Sequence, residues 1–91
     1  MSQAILQKGD MLNSQQREVL KLANDLMEET GNPIKVASHL RDEMNKRYGP
    51  AWQCVVGRDF SSFITFEKGT FTEFMIGDYD FVVFKWSKKE K

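Results

Sequence analysis

The aromatic residues of this chain are confined to one part of the sequence. Its two Trp, two Tyr and seven Phe all occur at or after Tyr48, and the first 47 residues contain none. Large flat side chains favour the half-buried surface of a β-sheet, whereas Leu, Lys, Gln, Glu and Ala, which dominate the first half, favour helix. The sequence therefore predicts an α+β domain with helices first and an antiparallel sheet second.

Length and charge narrow the class of protein further. A chain of 91 residues and 10.6 kDa fits a single domain, 1–91, whose thin stability margin could be increased by oligomerisation. Thirteen basic and thirteen acidic side chains cancel, which argues against nucleic acid or an anionic membrane as a partner. The sequence contains no apolar run of the length of a membrane span and does not start like a signal peptide. With a single cysteine, Cys54, we expect a soluble protein of the reducing cytoplasm.

Local signals predict a short strand followed by two helices. The strand is predicted at residues 4–7, with its end near Gly9-Asp10, and Asn13 or Ser14 is predicted to cap the first helix. Gly31 ends that helix in a left-handed conformation. Asn32-Pro33 then supplies a cap and a proline at the first position of the second helix, which ends before Gly49-Pro50.

The second half contains four strand candidates, at about 52–57, 60–67, 70–76 and 79–86. They are separated by Gly57-Arg58-Asp59, Lys68-Gly69 and Gly77-Asp78, of which the last two are typical of hairpin turns. The predicted order is one short strand, two helices and a four-stranded antiparallel segment.

Residues that could carry catalysis or bind metal are sparse. Cys54 alternates like a strand residue, which favours a core position over a catalytic thiol. His39 has no Cys or paired carboxylate at ligand spacing, and Asp78-Tyr79-Asp80 lacks the remaining ligands of a calcium loop, so a solvated turn is favoured there. We expect no enzyme activity, no metal and no cofactor, which leaves binding as the function.

The segment from Asp59 to Phe66 is the best candidate for a binding surface. Phe60, Ser62, Ile64 and Phe66 would lie on one face of a strand and Ser61, Phe63 and Thr65 on the other, so neither face is uniformly polar. At a sheet edge such a strand would recruit a second copy or an extended peptide, and as a central strand it would already be paired. The pattern by itself leaves both alternatives open.

The same residues carry a family resemblance. Tyr48-Gly-Pro-Ala-Trp-Gln-Cys-Val-Val-Gly-Arg-Asp-Phe-Ser-Ser-Phe resembles the Tyr-x-Pro-x-Trp-x-Cys-x-Val-Gly-x-x-Phe-x-Ser signature of the small homodimeric dynein light chains. Ala4-Ile-Leu-Gln-Lys-Gly-Asp-Met and Phe84-Lys85 also resemble the first and last strands of that family. The resemblance implies a homodimer in which one strand crosses to the sheet of the second subunit. It also implies linear peptide partners, such as dynein intermediate chain or other proteins, bound by strand addition at the dimer interface.

Position by position, the resemblance assigns site residues. The implied peptide-binding residues are Asp59, Phe60, Ser61, Ser62, Phe63, Ile64, Thr65, Phe66, Phe71, Glu73, Met75 and Val82. The implied dimer-interface residues are Gln53, Val55, Phe60, Ser62 and Ile64.

The chain also departs from the family pattern. Glu73 and Met75 stand where relatives have groove tyrosines, and Pro33-Ile34 replaces a charged pair. Altered peptide specificity is therefore expected, with weak or no binding of the Thr-Gln-Thr ligand that is usual in the family. Gln53 replaces an interface histidine, so the family's histidine-based pH switch should be missing. Similar divergence is found in axonemal light chains and in the light-chain-like modules of flatworm tegument calcium-binding proteins. The expected setting is the cytoplasm and cytoskeleton, axonemal or tegumental settings included, and the alternative function is a structural dimerisation module with a closed groove.

Overall fold

The computed structural model describes residues 3–58 and 69–85 and contains the predicted α+β arrangement. In chain order the elements are β1 (Ala4–Gly9), α1 (Asn13–Thr30), α2 (Pro33–Tyr48), β2 (Trp52–Gly57), β3 (Thr72–Ile76) and β4 (Tyr79–Lys85). The strand predicted at about 60–67 lies outside the described residues. Strands 52–57 and 79–86 are confirmed nearly to the residue, and the strand predicted to start at 70 starts at Thr72.

The helix ends follow local chemistry except at the start of α1. Gly31 has φ 61° and its N–H donates to the carbonyl of Met27 at 2.8 Å, as expected of a left-handed helix end. The predicted cap at Asn13 or Ser14 is wrong: Leu12 is the capping residue, without a side-chain hydrogen bond, and its carbonyl accepts from Gln16 at 2.8 Å. The chain enters α1 one residue earlier because the preceding Met11 is anchored in the core.

The start of α2 is built as the sequence predicts. Oδ1 of Asn32 accepts hydrogen bonds from the backbone N–H groups of Ile34 at 2.9 Å and Lys35 at 3.3 Å. Pro33 occupies the first turn, where its missing N–H costs nothing. At the other end, Oδ1 of Asn45 accepts from the N–H of Trp52 at 2.7 Å, which ties α2 directly to β2.

The four strands form one antiparallel sheet in the order β1-β3-β4-β2. Alternate residues of β3 and β4 face the helices, and there Phe74 and Phe81 are register partners whose rings stack 5.2 Å apart. Burying one such side chain contributes roughly 1.5–3 kcal/mol. The helical side of the core is formed by residues spaced along one face of each helix, chiefly Val19, Ala23, Val36, Leu40 and Met44.

Gly9 allows β1, α1 and β3 to approach closely at one corner. A Cβ at this position would lie 2.5 Å from Oε1 of Gln16 and 2.8 Å from the carbonyl oxygen of Phe71. Both contacts are shorter than a carbon atom tolerates, so the corner requires glycine.

Candidate functional site

The sheet has a second face, turned away from the helices, that carries large apolar side chains. Val82 and Phe84 alternate with the core residues of β4, and they are 0% and 6% exposed. Their register partners are Glu73 on β3 and Gln53 on β2, so these side chains share the second face. The Val82 and Phe84 side chains are therefore already buried within the single chain, whereas Val55 of β2, on the same face, is 39% exposed.

The described members of the predicted site come together on this second face. Glu73 and Met75 lie on β3, opposite Val82 and Asp80 of β4. Gln53 and Val55 lie on β2, opposite Phe84 and Val82. Phe71 precedes β3 and its carbonyl accepts from the N–H of Asp10 at 2.9 Å. The remaining predicted site residues, from Asp59 to Phe66, lie outside the described residues.

Among the described residues, strand β2 forms one edge of the sheet. Within residues 3–58 and 69–85 it pairs with β4 alone, through a register that runs from Trp52–Lys85 to Gly57–Asp80. Val55, in the middle of the strand, is 39% exposed, and Gln53 is exposed as well. An edge strand with an exposed apolar side chain is a surface on which a further strand can pair.

A row of three charged residues crosses the second face from β1 to β4. Nζ of Lys8 lies 3.9 Å from Oε1 of Glu73, its register partner. Asp80 lies diagonally across from Glu73 on the neighbouring strand, and the Glu73 carboxyl acts on its pKa. Sequence reasoning assigned Asp80 to a solvated turn and so missed it as a site residue. The signal for its position was in the sequence: residues two apart in a strand lie on the same face, so Asp80 shares the face of Val82.

The Asp80 carboxyl is in an environment that opposes ionisation. Burial, followed by the hydrogen bond and the negative charge of Glu73, raises the pKa of Asp80 from 3.8 to about 6, while Lys8 acts in the opposite direction. Oδ1 of Asp80 is buried and has no hydrogen-bond partner among the described residues. Because burial and the neighbouring Glu73 carboxyl both favour the neutral form of Asp80, this pair can take up a proton in weak acid.

A hollow of about 460 Å³ lies where α2 begins, beside the end of β2. It is lined by Gly31, Asn32, Pro33, Ile34, Val56, Gly57 and Tyr79. Ile34 is 73% exposed there and presents an apolar surface. The guanidinium carbon of Arg58 lies 5.1 Å from the ring centre of the adjacent Tyr79, a cation–π distance.

The residues considered for catalysis and metal binding are placed apart from one another. Cys54 packs against the core on the helical side of β2, and burial raises the pKa of its thiol to about 12, which disfavours the nucleophilic thiolate. His39 lies on the exposed surface of α2. Among the residues that the structure describes, no three carboxylate, His or Cys side chains are grouped to hold a metal ion, and neither helix is long and apolar enough to cross a membrane.

The order of elements, the sheet and the apolar second face define an α+β protein of the dynein light chain type. The family model for dynein light chain type 1 matches residues 3–86. The chain is 40% identical to the cytoplasmic dynein light chain 1 of Candida glabrata over 85 residues, covering 93% of this chain and 99% of that protein. It is 33% identical to the cytoplasmic dynein light chain 1 of Debaryomyces hansenii over 81 residues, covering 89% of each. The chain therefore belongs to the dynein light chain family.

Solved structures agree on the fold. The dynein light chain-like domain of the Fasciola hepatica calcium binding protein FhCaBP2 superposes with a TM-score of 0.78 at 19% identity, covering 94% of each chain. The similar domain of CsTAL3 gives a TM-score of 0.74 at 16% identity, covering 93% of this chain and 94% of that one. At these identities the likeness concerns the fold alone.

Proposed function

We propose that this chain is a non-catalytic homodimeric light chain that binds linear peptide segments of partner proteins by β-strand addition at its dimer interface. The partners are dynein intermediate chain or other proteins with extended segments. The setting is the cytoplasm, in microtubule-based motor complexes or as a dimerising hub. Membership of the dynein light chain family and the two fungal relatives named as cytoplasmic light chains support this setting.

The observation that carries the proposal is the position of β2. Its outer edge lies beside a sheet face that buries Val82 and Phe84 and carries the exposed side chains of Gln53 and Val55. A strand from a second copy could pair along that edge and cover the exposed apolar surface, which would create a groove beside Glu73 and Met75. A peptide added there would gain main-chain hydrogen bonds, and its alternate side chains would give specificity.

Sedimentation of the whole chain at micromolar concentration tests the dimer. We expect about 21 kDa, twice the 10.6 kDa of one chain. Val55→Asp should shift the protein towards the monomer because it places a charge on the β2 edge. Leu12→Asp, at an exposed apolar residue before α1, is the matched control and should leave the mass unchanged. A wild-type mass of 10.6 kDa alone would refute the dimer.

Calorimetry with synthetic peptides tests the groove. A Thr-Gln-Thr peptide, the usual ligand implied by the family resemblance, is compared with a Thr-Lys-Thr peptide at neutral pH. Glu73 favours the lysine peptide by on the order of 1 kcal/mol where the charges are partly desolvated. Glu73→Tyr should raise the affinity for the Thr-Gln-Thr peptide and reduce the preference for the lysine peptide, whereas Glu43→Tyr, on α2, should do neither.

A structural dimerisation module with a closed groove is the second candidate. It is supported by the fold likeness to a light-chain-like domain of a calcium binding protein and by the contact between Lys8 and Glu73, which occupies part of the second face. A dimer that binds neither peptide, before or after the Glu73→Tyr substitution, would favour this candidate over the peptide hub.

A further inference from the structure

The charged row of Lys8, Glu73 and Asp80 lies among apolar side chains, at the floor of the proposed groove. Met75 is the register partner of Asp80, and Val82 is the register partner of Glu73. The side chain of Glu73 is only 17% exposed, whereas that of Lys8 is 72% exposed. Among the described residues, the two carboxyls are thus more enclosed than the one cation that faces them, Lys8, so this part of the chain leaves the row short of positive charge.

The described residues around the row supply little further positive charge to balance the Glu73 and Asp80 carboxyls. On β1 the charged residue that faces Glu73 is Lys8, and on β2 the register partner of Asp80 is Gly57. Arg58, just after β2, is engaged with Tyr79. Both helices pack on the other side of the sheet. Among the described residues, then, two carboxyls and one lysine are the titratable groups that determine the charge of this floor.

Covering this floor has opposite consequences for two kinds of peptide. An uncharged peptide side chain would remove water from the carboxyls without compensating their charge, so its binding is favoured when the pair holds a proton. A lysine or arginine side chain would compensate the second negative charge, so its binding is favoured when the pair has lost that proton. Proton uptake and peptide choice are therefore linked.

We propose that the Lys8–Glu73–Asp80 row makes the groove pH-selective, so that uncharged peptide segments bind more tightly in weak acid and basic segments bind more tightly at neutral pH. The inference rests on the proposed function, since it concerns the same groove. In this groove a carboxyl pair, rather than the interface histidine that this chain lacks, would respond to pH. The resulting pH dependence for uncharged peptides is opposite to that of a histidine that dissociates a complex in acid.

Calorimetry of the Thr-Gln-Thr and Thr-Lys-Thr peptides at pH 5 and pH 7 tests this selection. If binding of the uncharged peptide requires the protonated pair, its affinity should rise on the order of tenfold from pH 7 to pH 5. The affinity of the lysine peptide should fall over the same interval. Asp80→Asn should remove both pH dependences, whereas Asp78→Asn, at an exposed residue of the neighbouring turn, should retain them.

A carboxyl-detected NMR titration of the free protein tests the row without any peptide. Glu73→Gln should move the Asp80 midpoint down, and Lys8→Met should move it up, because the two neighbours act in opposite directions. Midpoints that do not respond to either substitution would overturn the inference. Parallel pH dependences for the two peptides would overturn it while leaving the proposed function in place. If neither peptide binds at either pH, both the pH selection and the proposed peptide binding are wrong.

Discussion

The hydroxyl of Thr72 donates a 3.1 Å hydrogen bond to Oε1 of Gln16 and so joins β3 to α1 across 56 residues of sequence. Thr72 is 0% exposed and Gln16 is 9% exposed, so water cannot replace either partner easily. The bond lies at the corner that Gly9 keeps open. It fixes the position of α1 over the sheet, whose other face is the candidate site.

Thr72→Val should therefore destabilise the fold, because it removes the hydrogen-bond donor of the Gln16 side chain. The Gln16 side chain would keep a buried oxygen without its donor, which costs about 1–3 kcal/mol. Thr72→Val combined with Gln16→Leu should cost less than the sum of the single substitutions, because the double variant buries no orphaned polar atom. Urea unfolding of the four proteins measures this coupling. Additive effects would show that the hydrogen bond contributes nothing beyond packing.

Asp10 is expected to organise the chain just before β3. Its two carboxylate oxygens accept hydrogen bonds from the N–H groups of Gly69 and Phe71, each at 3.0 Å. Asp10→Ala should lower the free energy of unfolding by about 1–2 kcal/mol, since bonds to a charged acceptor are lost at an exposed site. Amide hydrogen exchange at residues 69 and 71 should accelerate. Asp25→Ala, at an exposed residue of α1, should leave both amides unchanged.

Cys54 should react slowly with alkylating reagents in the native protein. Because burial raises the pKa of its thiol from 9.0 to about 12, the thiolate at pH 8 is scarcer than in a free thiol by on the order of 10³. Iodoacetamide labelling followed by mass spectrometry should give a correspondingly low rate, which urea restores. Ser14→Cys in a Cys54→Ala background supplies an exposed control thiol. Equal native rates would argue for an accessible, reactive Cys54.

Sequence reasoning predicted those features that depend on neighbouring residues. Asn32-Pro33 and Gly31 set the adjoining helix ends through their own caps and backbone angles, and both were predicted. The start of α1 was mispredicted because it depends on Met11 reaching the core, a tertiary contact. Asp80 was missed for a similar reason. Its neighbours Glu73 and Lys8 are brought to it only by the registers of three strands, which no local pattern specifies.

The Asp80 carboxyl should contribute more to the stability of the fold in acid than at neutral pH, which is unusual for a carboxyl group. Its pKa is raised from 3.8 to about 6 in the folded chain, chiefly by burial and then by Glu73, so the folded state binds this proton more tightly than the unfolded state. The resulting stabilisation is fully present below pH 3.8 and is lost as pH rises through about 6. Other carboxyls contribute their own slopes, so the informative quantity is a difference between variants.

Asp80→Asn removes this one contribution while keeping the shape of the side chain. The urea midpoint of the variant, measured relative to wild type, should rise between pH 4 and pH 7, because wild type loses stabilisation over that interval and the amide does not titrate. Asp78→Asn, in the exposed turn of the same hairpin, should change less. A relative midpoint for Asp80→Asn that stays constant or falls would mean that the carboxyl is solvated in the folded protein and that its pKa is not raised.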